Sequence, residues 1–330
     1  MIKIPIVELH FSNKCTGSCI ICSEAHGENN IVFCTEEVVD KIIENLKEID
    51  FDIVQVGGDG DSFINKDVFF YALRRLRIEF PDKHLCLYTN ASMLTDTNGR
   101  TIVEEKLLDE IVTRIDTLNL TLFKQSTGLS LGRVLSNIKR FFLINDCVKY
   151  VLVYFPLYGY RDLCLKMLGR EPARWNRLDS TLLKNEIVEM KKYFDDLPKH
   201  PNMPSYFFRG SPVSLWGERK DLSPRDVDCF QVDQEAFDKY VKYGLTGGRL
   251  CVHGSFLNQT YIYPDGSVGL CPYDDRQDTF ICGNLMKGDS LADIWVSDKR
   301  LQMIQDVKDR KYNGKYPCID PIACGMYDIK

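Results

Sequence analysis

The chain has no apolar run approaching the ~20 residues of a membrane span. Its first residues, MIKIPIVELHFSN, are too short and too alternating for a signal peptide. A soluble, cytoplasmic protein is therefore expected. Basic charge is not in excess: a formal net charge of −5 provides no broad cationic surface of the kind that phosphate-neutralising binders need, which argues against nucleic acid as a partner. There is no internal repeat, low-complexity tract or flexible linker. Histidine is scarce, and the five copies show no ligand spacing: His10 lies on the first predicted strand and His253 adjoins Cys251, and neither is read as a metal ligand.

What is present is apolar residue and cysteine. With 330 residues, 44% of them hydrophobic, the chain can bury a sizeable core, and one large domain plus one small one is expected. Thirteen cysteines in a reducing compartment do not suggest a disulfide framework, and a chain of this size folds without staples. Metal or cluster ligation is the better reading.

The N-terminal half alternates two periods. IPIVELHFS reads as a strand, and residues 35–48 (TEEVVDKIIENLKE) as a helix behind the N-cap Thr35, with Glu37 in its first turn. DIVQVGG (strand), KDVFFYALRRLRIEF (helix), HLCLYTN (strand), TIVEEKLLDEIVTRI (helix), TLNLTLF (strand), LGRVLSNIKRFFLI (helix) and KYVLVYF (strand) follow. A further strand is expected after a helix at about 180–197. Alternating β and α units imply parallel strands with helices outside, here an α/β fold of the partial (β/α)6 barrel kind, in which chemistry gathers at the carboxyl ends of the strands. The cysteine loop CTGSCIICS, GGDGDSF, YTNASML and TLFKQS would then meet at one mouth.

Cys15, Cys19 and Cys22 are spaced C-x3-C-x2-C. A structural zinc site closes four ligands and usually takes its cysteines as two C-x2-C pairs, so three in one loop fit zinc poorly. A [4Fe–4S] cube held by three thiolates keeps one iron open, and the open corner is where a non-protein ligand binds.

In spacing and position this loop resembles that of the radical S-adenosylmethionine (SAM) superfamily. The resemblance implies that the open iron is chelated by the amino and carboxylate groups of SAM. It also implies that Gly57, Gly58 and Asp59 stand where a Gly-Gly-Glu segment holds the SAM amino group, that Thr89 and Asn90 end the next strand near SAM, and that Thr121 contributes a hydroxyl. There are two departures: Asp59 is shorter than Glu, and Ile21 stands where an aromatic residue often contacts adenine. Farther on, Cys251, Gly266-x4-Cys271, Cys318 and Cys324 resemble the SPASM or shorter twitch extension, a β-hairpin plus helix. By that likeness these four cysteines hold one auxiliary [4Fe–4S] cluster, with Cys282 as a spare and a zinc-bound or cluster-free remnant as the alternative. Cys34, Cys86, Cys147, Cys164 and Cys229 are isolated and read as small buried hydrophobes.

The resulting division is a radical SAM core over 1–155, the rest of the barrel and a substrate-facing elaboration over 156–250, and an auxiliary cluster domain over 251–330. The implied activity is reductive cleavage of SAM and hydrogen abstraction, with a flavodoxin or ferredoxin as electron donor. A net oxidation of a peptide, by dehydrogenation or crosslinking, is the leading expectation. Oxidation of a small polar metabolite such as a sugar or aminocyclitol is the alternative, and a non-catalytic cluster or zinc scaffold is the contrasting class. Arg209, Trp216, Glu218 and Arg219 are candidate substrate groups. The first cluster cysteine arrives at residue 15, which is expected to leave no room ahead of it for a leader-peptide-binding domain.

Overall fold

Six parallel strands carry the architecture of the computed structural model, which describes residues 1–19, 30–58, 60–154, 180–210, 255–270 and 280–309. They are β2 (Ile6–Leu9), β4 (Ile53–Val56), β5 (His84–Thr89), β6 (Glu110–Ile115), β7 (Lys149–Tyr154) and β8 (Phe207–Gly210), adjacent in that order. Two short strands, β1 (Ile2–Lys3) and β3 (Ile49–Asp50), pair separately. Between the barrel strands run α1 (Glu36–Leu46), α2 (Lys66–Glu79), α3 (Asp96–Glu104), α4 (Leu120–Thr127), α5 (Leu131–Ile144) and α6 (Ser180–Asp195). The result is the expected partial (β/α)6 barrel.

Period decides which face each strand buries. Val7, Leu9, Val54, Val56, Leu85, Leu87, Ile111 and Leu152 pack with Val39, Ile42, Phe69, Leu73, Ile138 and Phe142 of the helices in one apolar core. Glu8, Gln55, Cys86, Glu110 and Lys149 are successive register partners across the sheet and occupy the alternate positions. Thr35 caps α1 as expected, its Oγ1 accepting the Val38 N–H at 3.3 Å.

The hairpin β9 (Gln259–Ile262) and β10 (Ser267–Gly269) turns through Pro264 and Asp265 to Gly266, whose φ is +80°. β9 pairs in parallel with β2, and β11 (Ile281–Asn284) follows β10, so the C-terminal strands extend the barrel sheet at the edge of β2. The expected C-terminal helix is two helices, α7 (Leu291–Val296) and α8 (Asp298–Lys308). Ser297 is extended between them, and its Oγ accepts the Arg300 N–H at 3.2 Å.

Two other expectations are corrected. The stretch expected as one helix over 101–115 is the end of α3, a turn, and strand β6. Lys106 adopts φ +52°, which stops the helix without glycine, and the Leu107 N–H bonds the Ile102 carbonyl at 2.9 Å. The expected strand TLNLTLF is largely helix α4, because the Asn119 side chain caps the N–H groups of Thr121 and Leu122 and Gly128 closes the other end at φ +71°. Cys34 and Cys86 are buried as expected, whereas Cys147 is exposed; Cys164 and Cys229 lie outside the described residues.

Candidate functional site

The loop leaving β2 is anchored from three directions before it presents its cysteines. Lys14 bonds Ser12 Oγ through its N–H at 2.9 Å, and its carbonyl accepts the Asp61 N–H at 2.9 Å. Farther along, the Ser18 N–H donates to the Thr127 carbonyl at the end of α4, at 2.8 Å. Cys15 and Cys19 are thiols of intermediate exposure on this loop.

The Sγ of Cys15 receives the N–H of Gly17 at 3.4 Å and the Asn90 carboxamide Nδ2 at 3.4 Å. Burial raises the Cys15 thiol above its ordinary pKa and the nearby Asp61 carboxyl adds to the rise, while the N–H groups of Gly17 and Asn90 act against it. N–H groups directed at sulfur are what a ligating thiolate requires of its surroundings.

Asn90 sits in a turn that the structure holds in a costly conformation. Ala91 has φ +58°, and the Asn137 amide of α5 donates to the carbonyls of Ala91 and Ser92, both at 2.9 Å. Thr89 is buried, and its Oγ1 accepts the Ala91 N–H at 3.1 Å.

Gly57 and Gly58 follow β4. Gly57 has φ +90°, and a Cβ there would lie 2.5 Å from the Tyr88 carbonyl. A Cβ on Gly58 would lie 2.2 Å from Glu8 Oε1 and 2.9 Å from His10 Nε2. The backbone thus packs down on the barrel interior while Gly58 stays exposed on its other side. Close by, Asp61 is buried; its Oδ1 accepts the Phe63 N–H at 3.1 Å, and its Oδ2 has no hydrogen-bond partner among the described residues. Burial pushes Asp61 up to about 6, against the pull of the Phe63 N–H and the Asn90 amide.

Two family models match the chain. Residues 6–127 match a 4Fe-4S single cluster domain, and residues 251–320 match SPASM, an iron-sulfur cluster-binding domain. Solved structures share the fold over nearly the whole chain. BtrN in complex with AdoMet and 2-DOIA has TM-score 0.52 at 12% identity, covering 98% of this chain and 93% of that one. Native anSMEcpe with bound AdoMet and Cp18Cys peptide has TM-score 0.58 at 14% identity, covering 97% and 88%. Streptococcus suis SuiB bound to S-adenosylmethionine has TM-score 0.56 at 15% identity, covering 91% and 68%. No curated protein sequence matches the chain. The chain thus matches two iron-sulfur domain families and shares its fold with these AdoMet-bound structures.

The residues present fit a radical SAM site. Two thiols stand on the loop, amide hydrogens are directed at one of them, Gly58 leaves exposed backbone on the loop after β4, and Asp61 Oδ2 and Ser62 Oγ are buried without partners among the described residues. No group of three metal-ligating side chains converges among the described residues. Cys22, Ile21, Asp59, Cys251, Cys271, Cys318 and Cys324 lie outside them, as do Trp216, Glu218, Arg219 and His253. Arg209 is in β8, where its backbone pairs in register with Val153. Thr121 is not at a strand end: it is exposed in the first turn of α4, beyond β6, whose carboxyl end leads into buried Asp116 and Thr117. Cys282 is buried in β11, where its thiol donates to the Phe280 carbonyl at 3.6 Å.

Sequence reasoning missed the supports of this candidate site. Asn137, Thr127 and Gly128 act from α4 and α5 and carry no local signature. Glu8 was legible in principle, because its two-residue spacing from His10 on a strand puts both on one face.

Among the described residues, no helix is long and apolar enough to cross a membrane.

Proposed function

We propose that this enzyme reductively cleaves SAM, abstracts hydrogen from its substrate and carries out a net oxidation, a dehydrogenation or crosslink, of a peptide. The observation that carries the reading is the convergence of three strand-end loops on Cys15, with Asn90 and Gly17 directing N–H groups at its sulfur. Cys15, Cys19 and Cys22 would hold the site cluster, and Cys251, Cys271, Cys318 and Cys324 an auxiliary one. When bound, the site cluster with SAM supplies a 5′-deoxyadenosyl radical, and the auxiliary cluster supplies an electron acceptor suited to net oxidation.

The chain's own groups bind, orient and shield. Gly57, Gly58 and Asp59 would take the SAM amino group, for which the exposed backbone beside Gly58 is suited. Ile21, Thr89, Asn90 and Thr121 would line the rest of SAM. The substrate enters over 156–250, with Arg209, Trp216, Glu218 and Arg219 as its first candidates. Electrons come from a flavodoxin or ferredoxin, in the cytoplasm. The domain limits 1–155, 156–250 and 251–330 are part of the same proposal.

The peptide reading is supported by the likeness to the peptide-bound anSMEcpe structure. A second reading, oxidation of a small polar metabolite, is supported by the likeness to BtrN with 2-DOIA, which spans 98% of this chain.

The test is anaerobic reconstitution with iron and sulfide counted per chain. About eight irons should fall to about four on joint replacement Cys15→Ala, Cys19→Ala and Cys22→Ala, the stoichiometry of two cubanes. Release of 5′-deoxyadenosine on reduction should vanish in the same variant. Cleavage that survives would overturn the site, and wild-type protein that releases none with any candidate substrate would point to a scaffold.

A further inference from the structure

The Asn90 carboxamide is fixed at both ends. Its Oδ1 accepts the Ser92 N–H at 2.9 Å, and its Nδ2 lies 3.4 Å from Cys15 Sγ and 3.1 Å from Thr16 Oγ1. A flipped amide would set nitrogen against the Ser92 N–H and leave both Cys15 and Thr16 facing an oxygen, so the network itself selects the orientation with N–H towards sulfur. Thr16 Oγ1 also lies 2.6 Å from Ser92 Oγ, which ties the cysteine loop to the loop after β5 a second time. Behind it, the strained turn at Ala91 is held by two hydrogen bonds from Asn137. Strain and five hydrogen bonds aim one N–H at one sulfur.

We propose that Asn90 is a positioning residue for Cys15, its N–H orienting the ligating sulfur and raising the reduction potential of the site cluster independently of any contact with SAM. The inference rests on the reading that Cys15 ligates that cluster. A donor aimed at a ligating sulfur withdraws electron density and favours the reduced, more negative state. The Gly17 N–H does the same from the loop's own backbone, but only proline would remove it, and a Cβ at Gly17 would press on the Thr127 carbonyl at 3.0 Å. Asn90 is the part of this arrangement that can be removed.

The experiment uses full-length, two-cluster protein without SAM, in EPR-monitored redox titrations of wild type, Asn90→Asp and Asn90→Ala. Asn90→Asp keeps an acceptor of the same shape for the Ser92 N–H, loses the donor and adds a negative charge, whereas Asn90→Ala removes the donor without adding charge. The site-cluster midpoint should fall in both variants, further in Asn90→Asp, with the auxiliary midpoint unmoved and iron per chain unchanged. A residue that only contacts SAM would leave the SAM-free midpoint where it was. An unchanged midpoint in both variants at full iron content overturns the proposal. Selective loss of about four irons from a variant whose auxiliary signal persists supports it, because Cys15 is then not held for the cluster. Failure of the underlying reading looks different: wild type and the three-cysteine variant would carry equal iron.

Discussion

The Nε2 of His10 stands 2.9 Å from Glu8 Oε1 in the barrel interior, and both side chains are almost fully buried. The other carboxylate oxygen accepts the amides of Gln55 and Gln259, each at 2.6 Å, and the His10 ring meets Tyr263 edge-on at 5.3 Å. Gln259 belongs to the C-terminal hairpin. A single buried carboxylate therefore joins the first barrel strand, its neighbour β4 and the hairpin beneath the Gly57–Gly58 backbone.

This packing predicts an order between two alanine substitutions. Gly58→Ala drives a methyl into Glu8 and His10, which are tied down and cannot swing away cheaply, at a cost of about 1–3 kcal/mol for overpacking. Gly57→Ala meets the backbone carbonyl of Tyr88 and also demands φ +90° from a residue with a Cβ, so it should cost more. Urea denaturation of the cluster-free protein gives both values, and SAM affinity should fall in both. A Gly57→Ala protein as stable as wild type would refute the geometry.

The end of α4 predicts a coupling. A Cβ on Gly128 would lie 2.2 Å from Ser18 Oγ and 3.2 Å from the Ser18 N. Gly128→Ala should loosen the cysteine loop and lower iron retention. Ser18→Ala removes the offending oxygen, so the double variant should recover most of the loss and keep the left-handed strain of about 1 kcal/mol and the close approach to the Ser18 N–H. The measurement is a double-mutant cycle on unfolding and on iron per chain; strict additivity would mean that the two residues do not touch.

The legible parts of the fold are those where a local pattern and its caps agree. Thr35 opens α1 where the apolar spacing begins, and Ile6–Leu9 and Ile53–Val56 alternate as half-buried strands do. The misreadings over 101–123 share one cause: stop and start signals of unusual form. Lys106 ends a helix in a conformation normally left to glycine, and Asn119 starts one inside an alternating run. In the site, Cys15, the glycine pair and Asn90 were readable because each is a short motif. Asn137 and Thr127 were not, because the partners of Asn137 lie 46 and 45 residues away and the partner of Thr127 is Ser18, far ahead in the chain.

Asn45 predicts how the C-terminal helices are held. It is buried on α1, donates to the Lys41 carbonyl at 2.9 Å and accepts the Leu291 N–H, at the start of α7, at 2.7 Å. Asn45→Leu should strand that buried N–H and cost about 1–3 kcal/mol. Amide exchange should quicken across 291–308 and leave α2 and α5 protected. Uniform exchange across the chain would show that α7 is secured by other contacts.

Asp61 predicts a pH dependence with a definite sign. Its folded-state carboxyl titrates at about 6 rather than 3.8, because burial penalises the charge more than the Phe63 N–H and Asn90 amide favour it. The folded chain then holds this proton more tightly than the unfolded chain. The contribution to stability is complete below the unfolded value near 3.8 and is lost as pH rises to about 6, amounting to roughly 3 kcal/mol at 1.36 kcal/mol per pKa unit. Asp61→Asn keeps an acceptor for the Phe63 N–H and carries no charge at any of these pH values. In cluster-free protein the variant should therefore gain on wild type as pH rises from 4 to 6 and keep that advantage at pH 7.5. If wild type instead gains on Asp61→Asn over that interval, the carboxylate is stabilised when charged and burial does not govern its proton.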